Sequence, residues 1–182
     1  MVSGCRLERK MDMNFDFYQG SCGSFRFEEE EIVLLCFSYP GDEKYKCRSF
    51  NGTTFTDSNS SSTHGHTKAG NALGKYNGKP FVTGGYDGQY HAETEILDLN
   101  NTAEKYIWNL HKKYPFSESI RYAATVSFQD RVVVIGGDYI DLIAEFKNEI
   151  WTILTNLSTV RSYHNAIVAD HDVVIVGGVG EL

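Results

Sequence analysis

Three β-rich runs that each end in a glycine pair constrain this chain more than any other feature: Lys79-Pro80-Phe81-Val82-Thr83-Gly84-Gly85, Arg131-Val132-Val133-Val134-Ile135-Gly136-Gly137 and Asp172-Val173-Val174-Ile175-Val176-Gly177-Gly178. Their first glycines stand 52 and 41 residues apart, at Gly84, Gly136 and Gly177. Self-similarity at this kind of spacing marks an array of units that bury their apolar faces only by stacking on one another. Ahead of each glycine pair lies a run of small residues, 69–74, 122–127 and 164–169, followed by a turn at Asn77-Gly78, Gln129-Asp130 or Asp170-His171. Small-residue strand, turn and apolar strand predict a hairpin made three times over. Small side chains suit a place where the innermost strands of neighbouring units crowd together.

Further strands follow each glycine pair. Residues 94–99, a turn at Asn100-Asn101 and an aromatic strand with Trp108 complete one unit, and Trp151 within 149–154 holds the same place in the next. Residues 45–50, the Asn51-Gly52 turn and 53–56 predict the last two strands of an earlier unit, with Phe55 at the aromatic position. From aromatic to following glycine the distance stays at 29, 28 and 26 residues for Phe55, Trp108 and Trp151. Aromatics at a repeating position pack between units. The glycines Gly84, Gly85, Gly136, Gly137, Gly177 and Gly178 relieve crowding and supply unusual backbone angles. Two departures stand out. Cys36-Phe37-Ser38 replaces the glycine pair in the first unit, and only 14 residues separate Gly137 from Trp151 where 23 separate Gly85 from Trp108. The shorter interval predicts a short or missing third strand.

Apolar strand, diglycine, third strand and aromatic fourth strand together resemble the kelch repeat family, whose period is about 50 residues. The resemblance covers residues 30–182 and implies an all-β fold, a partial kelch-type β-propeller of four-stranded antiparallel blades. Approximate repeats are 30–60, 64–112, 119–157 and 161–182, the last truncated, after a non-repeat segment 1–29. A closed ring needs at least four full blades, so an open arc is expected. Its open blade edges invite self-association.

Charge narrows the choice of partner. A formal net charge of -7 and a pI near 5.3 argue against nucleic acid, which requires clustered Lys and Arg. No run approaches the roughly 18 apolar residues of a membrane helix, so no membrane insertion is expected. Arg6, Glu8, Arg9 and Lys10 have no apolar stretch behind them, which reads as a cytoplasmic chain without a signal peptide. Four cysteines within the first 47 residues and sequons at Asn51, Asn59, Asn100 and Asn156 point instead to an extracellular glycoprotein, if the N-terminus is incomplete. A turn centred on Gly41-Asp42 sets Cys36 opposite Cys47, as a hydrogen-bonded pair with Cα atoms about 5.5 Å apart. In an oxidising compartment these two can form a disulfide, and Cys5 and Cys22 could pair as well.

No constellation for catalysis stands out. The glycine pairs neither open a helix nor carry the Lys and Ser or Thr of a phosphate loop. His64-Gly65-His66 lacks a third ligand nearby, so no metal and no cofactor are expected. Loops at one end of a scaffold are where partners bind, which makes Tyr86, Asp87, Gln89, Tyr90, His91, Asp138 and Tyr139 the candidate contact residues. Arg121-Tyr122 and Arg161-Ser162-Tyr163-His164 open successive units and are expected to act alike, each Arg tying blade to blade. The resulting expectation is a non-catalytic scaffold that presents its loops to an unknown protein partner. One rival is a truncated fragment of a larger kelch protein without independent function. Another is a propeller enzyme resembling copper-radical oxidases, against which all four cysteines precede the intact repeats.

Overall fold

The computed structural model describes residues 21–27, 30–36, 46–50, 52–61, 70–86, 88–100, 105–111, 114, 120–128 and 130–180. They form fourteen strands: β1 (Ser21–Phe27), β2 (Glu30–Cys36), β3 (Lys46–Phe50), β4 (Phe55–Ser61), β5 (Ala72–Tyr76), β6 (Lys79–Thr83), β7 (Thr94–Asn100), β8 (Lys105–His111), β9 (Ala124–Phe128), β10 (Arg131–Ile135), β11 (Leu142–Lys147), β12 (Ile150–Asn156), β13 (Arg161–Ala169) and β14 (Asp172–Gly180). Three antiparallel sheets follow chain order, β1 to β4, β5 to β8 and β9 to β12, and β13 with β14 makes a terminal hairpin. The architecture is an open arc of β-propeller blades, the all-β fold expected. Among the described residues, no helix is long and apolar enough to cross a membrane.

Tight turns set the registers. Asn77 and Gly78 take φ of 47° and 83° between β5 and β6, and Asn148 and Glu149 take 49° and 59° between β11 and β12. Positive φ at both central residues gives the turn whose twist matches that of the strands it joins. The second turn explains a correction to the sequence reading. β11 is present in full and pairs with β10 from Arg131↔Lys147 to Ile135↔Ile143. The four residues 138–141 after the glycine pair and the two-residue turn at Asn148-Glu149 leave room for a whole strand in the short interval before Trp151. A second difference lies at the start, where β1 pairs with β2 from Ser21↔Cys36 to Phe27↔Glu30. The first sheet therefore begins at Ser21, ahead of the boundary expected at residue 30, and its opening Ser21-Cys22-Gly23-Ser24 is as rich in small residues as the other inner strands.

Alternation along each strand sends one set of side chains to the preceding sheet and one to the next. Leu34, Cys36 and Cys47 of the first sheet pack against Val82, Leu97 and Trp108 of the second. Ala72, Tyr76, Phe81 and Ile96 of the second meet Val132, Val134, Ala144 and Phe146 of the third, with Trp151 against them. Val126, Val133 and Ile135 of the third then meet Ala166 and Ile175 of the hairpin. Trp108 and Trp151 thus pack between sheets as their repeating position predicted. Cys36 and Cys47 are register partners joined by a disulfide, with Cα atoms 4.0 Å apart. That separation is nearer the roughly 4.5 Å of a non-hydrogen-bonded pair than the spacing expected for the other kind. Cys22 is also disulfide-bonded, and the Cys5 expected to pair with it lies outside the described residues.

Main-chain contacts between sheets account for the glycine pairs. Gly85 donates its N–H to Ile120 O at 2.8 Å, and Gly137 donates to Arg161 O at 2.9 Å. A Cβ on Gly136 would sit 2.5 Å from Arg161 O, and one on Gly84 would run into Ile120 O. Both residues also hold positive φ, 74° at Gly84 and 58° at Gly136. The close approach of the next sheet and the left-handed backbone each exclude a side chain here.

Candidate functional site

Antiparallel hairpins bring the starts of β5, β9 and β13 and the ends of β6, β10 and β14 to one end of the arc. Gly70, Tyr122 and Tyr163 occupy equivalent positions there, with φ of 84°, 58° and 55°. Tyr122 donates its N–H to Gly70 O at 2.7 Å, and Tyr163 donates to Tyr122 O at 3.0 Å. A left-handed conformation that glycine adopts freely costs a bulky residue about 1 to 3 kcal/mol. Tyrosine stands there in two successive units nonetheless.

Their rings form part of a continuous row. Tyr122 and Tyr163 stack with centroids 3.9 Å apart. The Arg121 guanidinium lies over the Tyr122 ring at 4.5 Å and over the Tyr86 ring at 4.7 Å. Tyr86 in turn meets Tyr90, with centroids 4.8 Å apart. Arg121 also donates to the Tyr122 hydroxyl at 2.7 Å and lies 3.7 Å from the Asp138 carboxylate. Burial opposes the charge on Arg121, but the Tyr122 hydroxyl and Asp138 outweigh it and raise its pKa. Tyr90, Tyr139 and Tyr163 are 45%, 70% and 57% exposed, so the row opens to solvent.

Of the expected contact residues, Tyr86, Tyr90 and Asp138 belong to this row. Tyr139 adjoins it, exposed and at a φ of 62°. His91 is half-buried, donates its backbone N–H to Gly85 O at 3.0 Å and has Nδ1 3.5 Å from Glu93. Gln89 is exposed in the same connection, and Asp87 lies outside the described residues. Arg121, Tyr122 and Tyr163 were read from sequence as a repeated pair but not as contact residues. Their equivalence also needs correcting. Arg161 matches Ile120, because both carbonyls accept from the second glycine of the preceding unit, so only the tyrosines correspond. Arg121 ties sheet to sheet through Tyr86, whereas Arg161 donates to Gly177 O of its own hairpin at 2.6 Å. The nearby His164 is 6% exposed, and among the described residues neither ring nitrogen makes a well-formed hydrogen bond, although the Ile135 backbone lies close enough to favour the proton. Burial lowers its proton affinity first, and the Arg161 charge acts in the same sense.

A groove of about 560 Å³ runs along the inner strands β1, β5, β9 and β13. Several of its polar groups join one strand to the next. Ser21 Oγ donates to Asn71 O, Thr125 Oγ1 to Leu73 O, and the Lys75 N–H to Ser127 Oγ. Among the described residues, no three His, Cys, Asp or Glu side chains cluster as metal ligands. The His64-Gly65-His66 segment lies outside those residues.

No family model matches this chain, and no curated protein matches it. Among solved structures it is similar to the one titled "Structure of YjhT", at 17% identity and a TM-score of 0.60. The match covers 74% of this chain and 45% of that one, so the chain spans less than half the length of the structure it resembles. At this identity the likeness concerns the fold alone.

Proposed function

We propose that this chain is a kelch-type propeller arc that works as a non-catalytic interaction scaffold, and that its tyrosine and arginine end docks a protein partner. One observation carries the reading. Exposed tyrosines converge on a stacked arginine, and Tyr122, Tyr139 and Tyr163 sit at positive φ, where lone surface residues gain nothing from strain. Tyrosine and arginine are the residues from which binding hot spots are built, because they bury large surface at small cost in conformational freedom. The strands beneath hold the rings in place before a partner arrives, which lowers the entropy lost on docking.

The test is a capture experiment with the folded chain and variants at each end of the arc. Tyr139→Ala and Tyr163→Ala are expected to lose a protein that the wild type retains. Lys79→Ala, beside the Asn77-Gly78 turn at the opposite end, is expected to keep it. Equal recovery by all four would refute the reading.

A further inference from the structure

The asparagines of this chain are placed in two ways. Those outside an Asn-x-Ser/Thr triplet are drawn into the fold wherever they are described. Asn71 is 5% exposed, Asn77 and Asn148 hold positive φ in tight turns, Asn109 donates to Asp98 at 3.1 Å, and Asn165 stands on the inner strand β13. Those that open a triplet stand on the outer half of a sheet. Asn59 lies on β4, Asn100 ends β7 and Asn156 ends β12, each the third or fourth strand of its sheet. Among the described residues, no triplet begins on the first or second strand of a sheet. Asn51 lies outside the described residues.

At Asn156 the whole triplet is on view. Asn156-Leu157-Ser158 contains no proline and is followed by Thr159, as an acceptor for sugar requires. Leu157 donates its N–H to Asp141 O and packs against the core beside Val133 and Ile135. Successive side chains of extended backbone point in opposite directions, so pinning Leu157 inward turns its neighbours outward. Asn156 and Ser158 are both exposed. Asn156 is the register partner of Leu142, and β12 is the outermost strand of its sheet. A branched sugar on this amide therefore projects from the rim and displaces none of the packing between sheets.

Sulfur chemistry supplies an independent observation. Cys36 and Cys47 are joined, and Cys22 is disulfide-bonded too. Such bonds form and persist in oxidising compartments, and the lumen of the secretory pathway is one of them. Asparagine glycosylation takes place in the same lumen.

We propose that Asn156 is an N-glycosylation site, modified from a lipid-linked oligosaccharide diphosphate. Asn156 Nδ2 forms a bond to C1 of the first sugar, and the bond from C1 to the diphosphate oxygen breaks. The lipid diphosphate leaves and one amide proton is released, with no net oxidation or reduction. The site uses no residue of the partner-binding reading and stands independently of it.

The test takes the full chain from the cells that make it and separates the soluble, folded fraction. Peptide-N-glycosidase in heavy-oxygen water turns each occupied asparagine into a labelled aspartate. Trypsin then releases residues 148–161, in which Asn148 is an internal control without a triplet. Label is expected at Asn156 and not at Asn148. Asn156→Gln and Ser158→Ala should each remove one glycan from the electrophoretic ladder, and Ser158→Thr should keep it. The label is read on the unmodified chain, so a variant that fails to fold leaves the test standing. An unlabelled Asn156 in the folded fraction, label confined to aggregated chain, or free Cys36 and Cys47 thiols in the recovered protein would overturn the inference.

Discussion

Trp151 in the third sheet donates its indole N–H to Thr94 Oγ1 in the second at 3.2 Å, between residues 57 apart in the chain. Thr94 lies 3.1 Å from Thr83 Oγ1, and Thr83 donates to Glu93 O at 2.9 Å. The donors run in one direction: indole to Thr94, Thr94 to Thr83, Thr83 to a backbone carbonyl. The buried hydroxyl pair is satisfied within its own sheet, and the neighbouring sheet adds the first donor of the chain.

Trp151→Phe keeps most of the ring contact with Phe81 and Phe146 and removes the donor, so a loss of about 1 kcal/mol is expected. Trp151→Ala also opens a cavity and should cost about 3 kcal/mol. Urea denaturation of the two variants measures both values. A Trp151→Ala loss no larger than that of the phenylalanine variant would mean the ring packing is dispensable.

Gly136→Ala and Gly177→Ala form a controlled pair, because both positions have positive φ but only Gly136 faces a neighbouring carbonyl. Gly177→Ala is expected to cost about 1 kcal/mol of backbone strain. Gly136→Ala adds the clash with Arg161 O and should lose at least twice that. Thermal melts at matched concentration compare them. Equal losses would show that crowding between sheets is not what fixes the first glycine.

Reduction of the Cys36–Cys47 disulfide releases a short closed loop, with a sequence separation of 11. Chain entropy gives such a link about 2 to 3 kcal/mol. A Cys36→Ala, Cys47→Ala double variant should therefore melt several degrees lower, with the second and third sheets intact by circular dichroism. An unchanged melting temperature would contradict the prediction.

His164 gives stability a pH dependence. Its folded pKa lies below the ordinary histidine value, from burial first and from Arg161 second, while the Ile135 backbone opposes both only in part. A depressed pKa means that the unfolded chain binds the proton more readily. The contribution is therefore fully present above the unfolded pKa, near 6.5, and is lost as pH falls through the folded value. His164→Asn should flatten stability against pH in that acidic window and leave it unchanged in slope above pH 7. Parallel profiles for variant and wild type would exclude this histidine as the source.

The repeat was legible because three different constraints recur at fixed places. Gly136 answers to a carbonyl, Val132 and Val134 to the preceding sheet, and Trp151 to the aromatic seat, and each leaves its own mark in the sequence. β11 was not legible, because Asn148-Glu149 adopts a turn usually marked by glycine and the interval looked too short. β1 escaped notice because its sheet has Cys36 where the diglycine would stand, bridged to Cys47. At the candidate site, the connections after the glycine pairs pointed to Tyr86, Tyr90 and Asp138. Arg121 and Tyr163 join them only through packing between units, and alignment by residue type placed Arg161 one position out of step with Arg121.

The ties from Gly85 to Ile120 and from Gly137 to Arg161 are made entirely by main-chain atoms. At these two points the side chains of the tyrosine and arginine end are therefore not what joins one blade to the next. Only the glycines are held to their identity. Such a frame would let the side chains at that end of the arc change while the spacing of the positions that carry them stays the same.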